Sequence, residues 1–165
     1  MLSVFTPYLC QENDSAIFCS GSGEIIRIDP IAENVLRFRS SFSGKIFDED
    51  WTLIKLQQKP FANIAIDRAK AMVKCGNIVA VVSIDGVVKY YNDRGDVLFE
   101  ELWIDYRVNN ANLLKARNYR HVYGDLYKVE LYFKARDNEY IYGMGQYAIG
   151  YLNLKGCSLE LAHRN

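Results

Sequence analysis

The sequence has 165 residues, 50% hydrophobic and 13% aromatic, which suits one domain with a buried core and is unlike a disordered chain. Lys and Arg total 20 against 20 Asp and Glu, so charge gives no reason to expect a nucleic acid or an anionic membrane as partner. No stretch reaches the roughly 18 to 20 apolar residues of a membrane span.

Met1 to Cys19 contains Pro7, Gln11, Glu12, Asn13 and Asp14 and lacks the basic start and apolar run of a secretory signal. A cytoplasmic location is the expectation. Ser15 to Ser20 is a short apolar run ended by Gly21-Ser-Gly23, and Glu24 to Ile31 alternates as its hairpin partner. Val35 to Ser40 has period two, with Leu36 and Phe38 on the buried face and Arg37 and Arg39 on the other. The two arginines read as a solvated face, with a clamp on an anion or carboxylate across the sheet as the alternative.

The pattern weakens from Ser41 to Lys59, where Asp48-Glu-Asp50 lacks the spaced oxygen ligands of a calcium site and reads as a loop. Pro60 and Asn63 mark a break, followed by short strands at Ile64 to Ile66 and Arg68 to Cys75. Gly76-Asn77 is a hairpin turn leading to the β-branched run Ile78 to Ile84. Asp85-Gly86 has the form of a two-residue type I′ turn before Val87 to Tyr91, and Asn92-Asp-Arg-Gly95 closes another hairpin before Val97 to Phe99. The asparagine-rich segment within Trp103 to Tyr123 reads as a loop-like insertion with at most a helical turn or two. No repeat or linker suggests an internal boundary.

The last quarter carries the sharpest pattern. Tyr127 to Lys134 is a strand, Ala135-Arg-Asp-Asn a charged turn, and Leu152-Asn-Leu-Lys-Gly-Cys157 a return strand. Between them Gly143 and Gly145 bracket one methionine, where the backbone is expected to bend in a way a Cβ opposes. The run Phe133, Asp137-Asn-Glu139, Tyr142-Gly-Met-Gly-Gln146, Leu152-Asn-Leu-Lys-Gly156 and Leu161-Ala-His-Arg-Asn165 resembles the end of the N-terminal β-sandwich of glycoside hydrolase family 31. Gly76 to Glu101 resembles an earlier part of the same sandwich, less specifically.

The resemblance implies an all-β, antiparallel, galactose-mutarotase-like sandwich spanning residues 1 to 165 as a single domain. It implies a parent α-glucosidase or α-xylosidase that acts with retention, through a (β/α)₈ barrel this chain does not contain. Glu139, Tyr142, Gly143, Gly145, Gln146 and Gly156 then belong to a framework motif. By position, Arg164 and Asn165 fall in a loop that contacts substrate, with Asn165 standing where many members carry Asp. The partners implied are the barrel in cis and, through the parent, an α-linked oligosaccharide. Family sandwiches continue beyond this point, so an uncovered strand edge, and with it a homodimer of the fragment, is expected.

The residues themselves offer no catalytic pair. A retaining glycosidase needs two carboxyl groups about 5 to 5.5 Å apart. Glu100 and Glu101 are adjacent on a strand and point to opposite faces, while Asp137 and Glu139 share a short turn with Lys134 and Arg136. Cys10, Cys19, Cys75 and Cys157 are scattered without a Cys-x-x-Cys pair and read as reduced small hydrophobes, and His121 and His163 have no ligand-spaced partner. No cofactor is expected. A free-standing sugar-binding module, with Trp51, Trp103, Tyr90 and Tyr91 as platforms, and a scaffold domain are the competing readings.

Overall fold

The computed structural model describes residues 6–49, 60–108, 111–124, 126–143 and 150–159. The chain forms two compact units, Met1–Lys134 and Ala135–Asn165. In the first, strands β1 (Tyr8–Glu12), β2 (Ser15–Cys19), β3 (Ile25–Ala32) and β4 (Val35–Ser41) form a four-stranded sheet. Strands β5 (Asn63–Ile66), β6 (Lys70–Cys75), β7 (Ile78–Ser83), β8 (Val88–Asn92) and β9 (Val97–Glu100) form a five-stranded one. Every neighbouring pair is antiparallel and sequential.

The two sheets bury their facing side chains against each other, which makes the fold an antiparallel sandwich. Ala16, Phe18, Ile26 and Ile28 from the first sheet meet Ala71, Val73, Ala80, Val82 and Val88 from the second in one buried cluster. Within each sheet small residues stand opposite large ones: Ala16 faces Ile28, Ala71 faces Val82 and Ala80 faces Val73. That alternation suits close packing of the two layers. Strand β1 was not expected from the sequence, because its run Tyr-Leu-Cys-Gln-Glu alternates only weakly; it is held by its register with β2.

Three hairpins use one loop design. Ser20, Ser83 and Asn92 each donate a backbone N–H to the residue four positions on, and each accepts one from a glycine three positions on, Gly23, Gly86 or Gly95. The three glycines have φ of 96°, 80° and 87°. In each case the first residue's side-chain oxygen also accepts the N–H of residues Glu24, Val87 and Asp96, at 2.9, 3.2 and 2.8 Å. These are three-residue loops ending in a left-handed glycine, so the two-residue type I′ turn expected at Asp85-Gly86 is corrected: type I′ needs positive φ at both central residues, and only Gly86 has it. Gly76-Asn77 does close a two-residue hairpin between Cys75 and Ile78, with positive φ at Gly76 alone, the type II′ form.

The segment expected to be a loop-like insertion is instead strand. Ile104–Val108 (β10) pairs with Ala111–Leu114 (β11), and Arg117–Tyr123 (β12) with Leu126–Leu131 (β13). Local asparagines disfavour a strand, but cross-strand pairing supplies the backbone partners that propensity does not count. The β12–β13 ribbon joins the end of β9 through Leu102 N–H to Tyr132 O and Lys134 N–H to Glu100 O. All elements among the described residues are strands or turns.

In the second unit the expected return strand at residues 152–157 is a turn. Leu154 N–H donates to Ile141 O, and the Asn153 side chain accepts the N–H groups of both Ile141 and Lys155. An asparagine that serves its own neighbourhood in this way competes with a ladder. Gly156 follows at φ 79°.

Candidate functional site

The described part of the glycine motif lies in the second unit. Gly143 has φ 101°, a conformation side chains oppose, as expected. Tyr140 and Tyr142 stack with ring centroids 6.3 Å apart, and Lys155 Nζ donates to the carbonyls of Arg136 and Asp137. Glu139 closes the turn through its N–H to Arg136 O. Gly145 and Gln146, and the expected substrate contacts Arg164 and Asn165 with His163, lie outside the described residues, as does Trp51.

The first unit contains two ion networks that sequence reading only partly found. Arg117, at the start of β12, is buried and reaches both sheets. Its Nε donates to Glu24 Oε1 at 2.5 Å, its Nη1 to both oxygens of Glu101, and its Nη2 to the Gly86 carbonyl. The guanidinium also lies 5.5 Å from the Phe38 ring centroid. Glu101 Oε2 accepts the Val88 N–H, and Glu24 accepts from Ser40 Oγ, itself bonded to Tyr119 Oη. Burial disfavours charge on Arg117, but the bonds and charges of Glu101 and Glu24 outweigh it and hold the group firmly cationic. The neighbouring Tyr90 hydroxyl is pushed up to about 12 by burial and by the charge of Glu101.

Glu101 and Glu24 are spent on one guanidinium, and Glu100 points away, paired with Lys89 at 2.9 Å and Lys134 at 3.6 Å. Hydrogen bonding to Lys89, followed by the opposing effect of burial, leaves the Glu100 carboxyl below its ordinary range. A general acid needs the opposite shift.

The second network sits on the outward face of the four-stranded sheet. Asp29 on β3 accepts from Ser15 Oγ at 2.6 Å, Arg27 Nε at 2.7 Å and Arg39 Nη2 at 2.8 Å, and it is ion-paired, without a hydrogen bond, to Arg37 Nε at 3.4 Å. Arg37 and Arg39 therefore clamp a carboxylate across the sheet, and their reading as a solvated face is corrected. The cause is register: Asp29 stands opposite Arg37, and Arg27 opposite Arg39. Burial pushes the Asp29 carboxyl up, but the bonds from Ser15 and Arg39 and the charges of Arg27 and Arg39 bring it below its ordinary value. Arg27 and Arg39 also hold the adjoining loop, through Asp48 at 2.9 Å and the Phe47 carbonyl at 2.6 Å. That loop walls a 660 Å³ hollow over Tyr8, Ile17 and Ile25.

Polar groups and an accessible aromatic converge at Trp103, which is 38% exposed. It lines two hollows, of 310 Å³ beside Lys89, Glu100 and Lys134, and of 110 Å³ beside Ser20, Ser22 and Lys115. Asp85 and Val87 border both. Of the other expected platforms, Tyr90 packs against the core and Tyr91 is partly buried on β8. His121 is engaged with the Gly124 carbonyl at 2.7 Å, all four cysteines are free thiols, and among the described residues no group of three His, Cys, Asp or Glu is placed to hold a metal.

No protein-family model matches the chain. An uncharacterised family 31 glucosidase of Pseudescherichia vulneris is 33% identical over 167 residues, which cover 93% of this chain and 31% of that protein. A crystal structure of a family 31 α-xylosidase from a soil metagenome, in complex with xylose, superposes with a TM-score of 0.83 at 29% identity. It covers 96% of this chain and 25% of its own. The chain thus spans about a third and a quarter of the proteins it matches, and sequence and fold together relate it to the β-sandwich portion of glycoside hydrolase family 31.

Proposed function

We propose that this chain, related over nearly its whole length to family 31 glycoside hydrolases, is the non-catalytic N-terminal sandwich of a retaining α-glucosidase or α-xylosidase. It packs on the catalytic barrel and lends that barrel a loop. The observation that carries this reading is the superposition on an α-xylosidase across 96% of the chain. The state of the carboxylates supports it: Asp29, Glu24, Glu100 and Glu101 are each held by arginine or lysine, so none of these four is placed to attack or protonate a glycosidic bond. The β12–β13 ribbon supports a packing role as well. Val122, Tyr123, Leu126, Val129 and Leu131 are all exposed on it, and apolar side chains left in water on both faces of a ribbon suit burial against a neighbouring domain.

The sandwich's partners on this reading are the barrel in cis and, through the complete enzyme, an α-linked oligosaccharide. The homodimer of the fragment follows from the same ribbon. Hydrolysis of p-nitrophenyl α-glucoside and α-xyloside, by this chain and by the chain joined to a barrel, tests the proposal. Turnover by the longer protein alone is the expected outcome, and the better substrate names the sugar. Turnover by the chain alone, or by neither, overturns it.

A further inference from the structure

The two hollows at Trp103 combine what a sugar ring requires. A pyranose presents a C–H face that lies against an aromatic ring, and a rim of hydroxyls that must both donate and accept hydrogen bonds. The partly exposed indole supplies the first. On one side the Lys89, Glu100 and Lys134 triad supplies donors and an acceptor already fixed by their mutual ion pairs. On the other side lie Lys115 and the hydroxyls of Ser20 and Ser22.

Charge narrows the class of ligand. The cations bordering the two hollows are Lys89, Lys115, Arg117 and Lys134. The anions are Glu24, Asp85, Glu100 and Glu101, so the balance is four against four and the net charge is zero. A phosphate or a uronate would find Lys89 and Lys134 already paired with Glu100, whose charge repels it, while a neutral hydroxyl uses both signs. The 310 Å³ hollow lies at the small end of ligand sites, about one sugar ring with part of its neighbour. Preorganisation adds to this, because the loop Ser83 to Val87 that carries Asp85 is fixed by Gly86 and by the Ser83 side chain.

We infer that the Trp103 hollow binds one neutral pyranose ring of an oligosaccharide, stacked on the indole and hydrogen-bonded by Glu100, Lys89 and Asp85. The choice of an α-linked sugar as probe rests on the glycosidase reading; the stacking and the charge balance do not. The sequence has two tryptophans, Trp51 and Trp103. In a Trp51→Phe background the fluorescence therefore reports Trp103 alone.

Titration of that protein with maltotriose is expected to give a saturable change in the roughly millimolar range, and inorganic phosphate none. Calorimetry on Trp103→Ala should show binding weakened about tenfold or more. Glu100→Gln, which turns one carboxylate acceptor into an NH2 donor, removes the charge that holds Lys89 and Lys134 and leaves the core intact, should weaken it several-fold and decides the matter if Trp103→Ala does not fold. No saturable change with maltotriose, an equal response to phosphate, or unchanged binding in both variants overturns the inference. Hydrolysis by the longer protein without binding at Trp103 removes this site alone, whereas binding at Trp103 without hydrolysis leaves the site and removes the enzymatic reading.

Discussion

The two ion networks of the sandwich use the same residue types to opposite ends. Around Arg117 one guanidinium is shared by two carboxylates and a carbonyl, out of water, between strands far apart in sequence. Around Asp29 one carboxylate is shared by three guanidiniums whose outer edges remain at the surface, all on two neighbouring strands. The first fastens β12 to both sheets; the second stiffens one sheet and pins the loop at Phe47 and Asp48. Burial decides the difference in energy, because an ion stripped of water depends wholly on its protein partners.

The largest effect should follow from Arg117→Met. It leaves Glu101 buried without a counter-ion, and destabilisation of about 3 to 5 kcal/mol is expected in urea unfolding. Adding Glu101→Leu should recover part of the loss, and a double variant no more stable than the single one would refute the view of Glu101 as the stranded charge.

Gly86 comes next. A Cβ there would stand 2.7 Å from the Phe18 ring in a backbone at φ 80°, whereas at Gly95, in the same kind of loop at φ 87°, it would meet nothing. Gly95→Ala should cost about 1 kcal/mol from backbone strain alone, and Gly86→Ala about 2 to 3 kcal/mol. Equal losses in thermal melts would show that the packing against Phe18 is slack.

Asp29 should be felt through pH. Its folded carboxyl lies below the unfolded value of about 3.9, so its stabilisation is complete above that pH and disappears as pH falls through the folded value. The stability advantage of the natural protein over Asp29→Asn, about 1 to 3 kcal/mol near neutrality, should therefore hold from about pH 5 upward and shrink below about pH 4. An advantage unchanged down to pH 2 would contradict the clamp. Smallest of all is Glu100→Gln at the surface, expected within about 1 kcal/mol and diminished by salt.

Hairpins were the legible part of this fold. The pairs Ser15–Cys19 with Ile25–Ala32, and Ile78–Ser83 with Val88–Asn92, follow from alternation punctuated by glycine, since both signals lie within a few residues of each other. The turns at Gly21-Ser-Gly23, Asp85-Gly86 and Asn92 to Gly95 were each legible, but not their shared three-residue design, and the one at Asp85-Gly86 was read one residue too short. Trp103 could be named in the sequence as a candidate platform, but not the lysines and carboxylates that surround it, which come from five separate segments. The clamp on Asp29 was half legible, as two arginines without their target.

What the sequence determined by itself is local: which runs are strands, where glycine turns them, and which face of each is apolar, because period and φ preference are properties of neighbouring residues. Its resemblance to the family 31 sandwich also rests on local spacing. Tertiary structure alone decided that Ile104–Val108 and Ala111–Leu114 pair as strands, that Arg117 joins Glu24 to Glu101 across 93 and 16 positions, and that Trp103 stands between two polar hollows. Those outcomes depend on partners brought together only when the sheets close, and no pattern within a single segment encodes the distance between them.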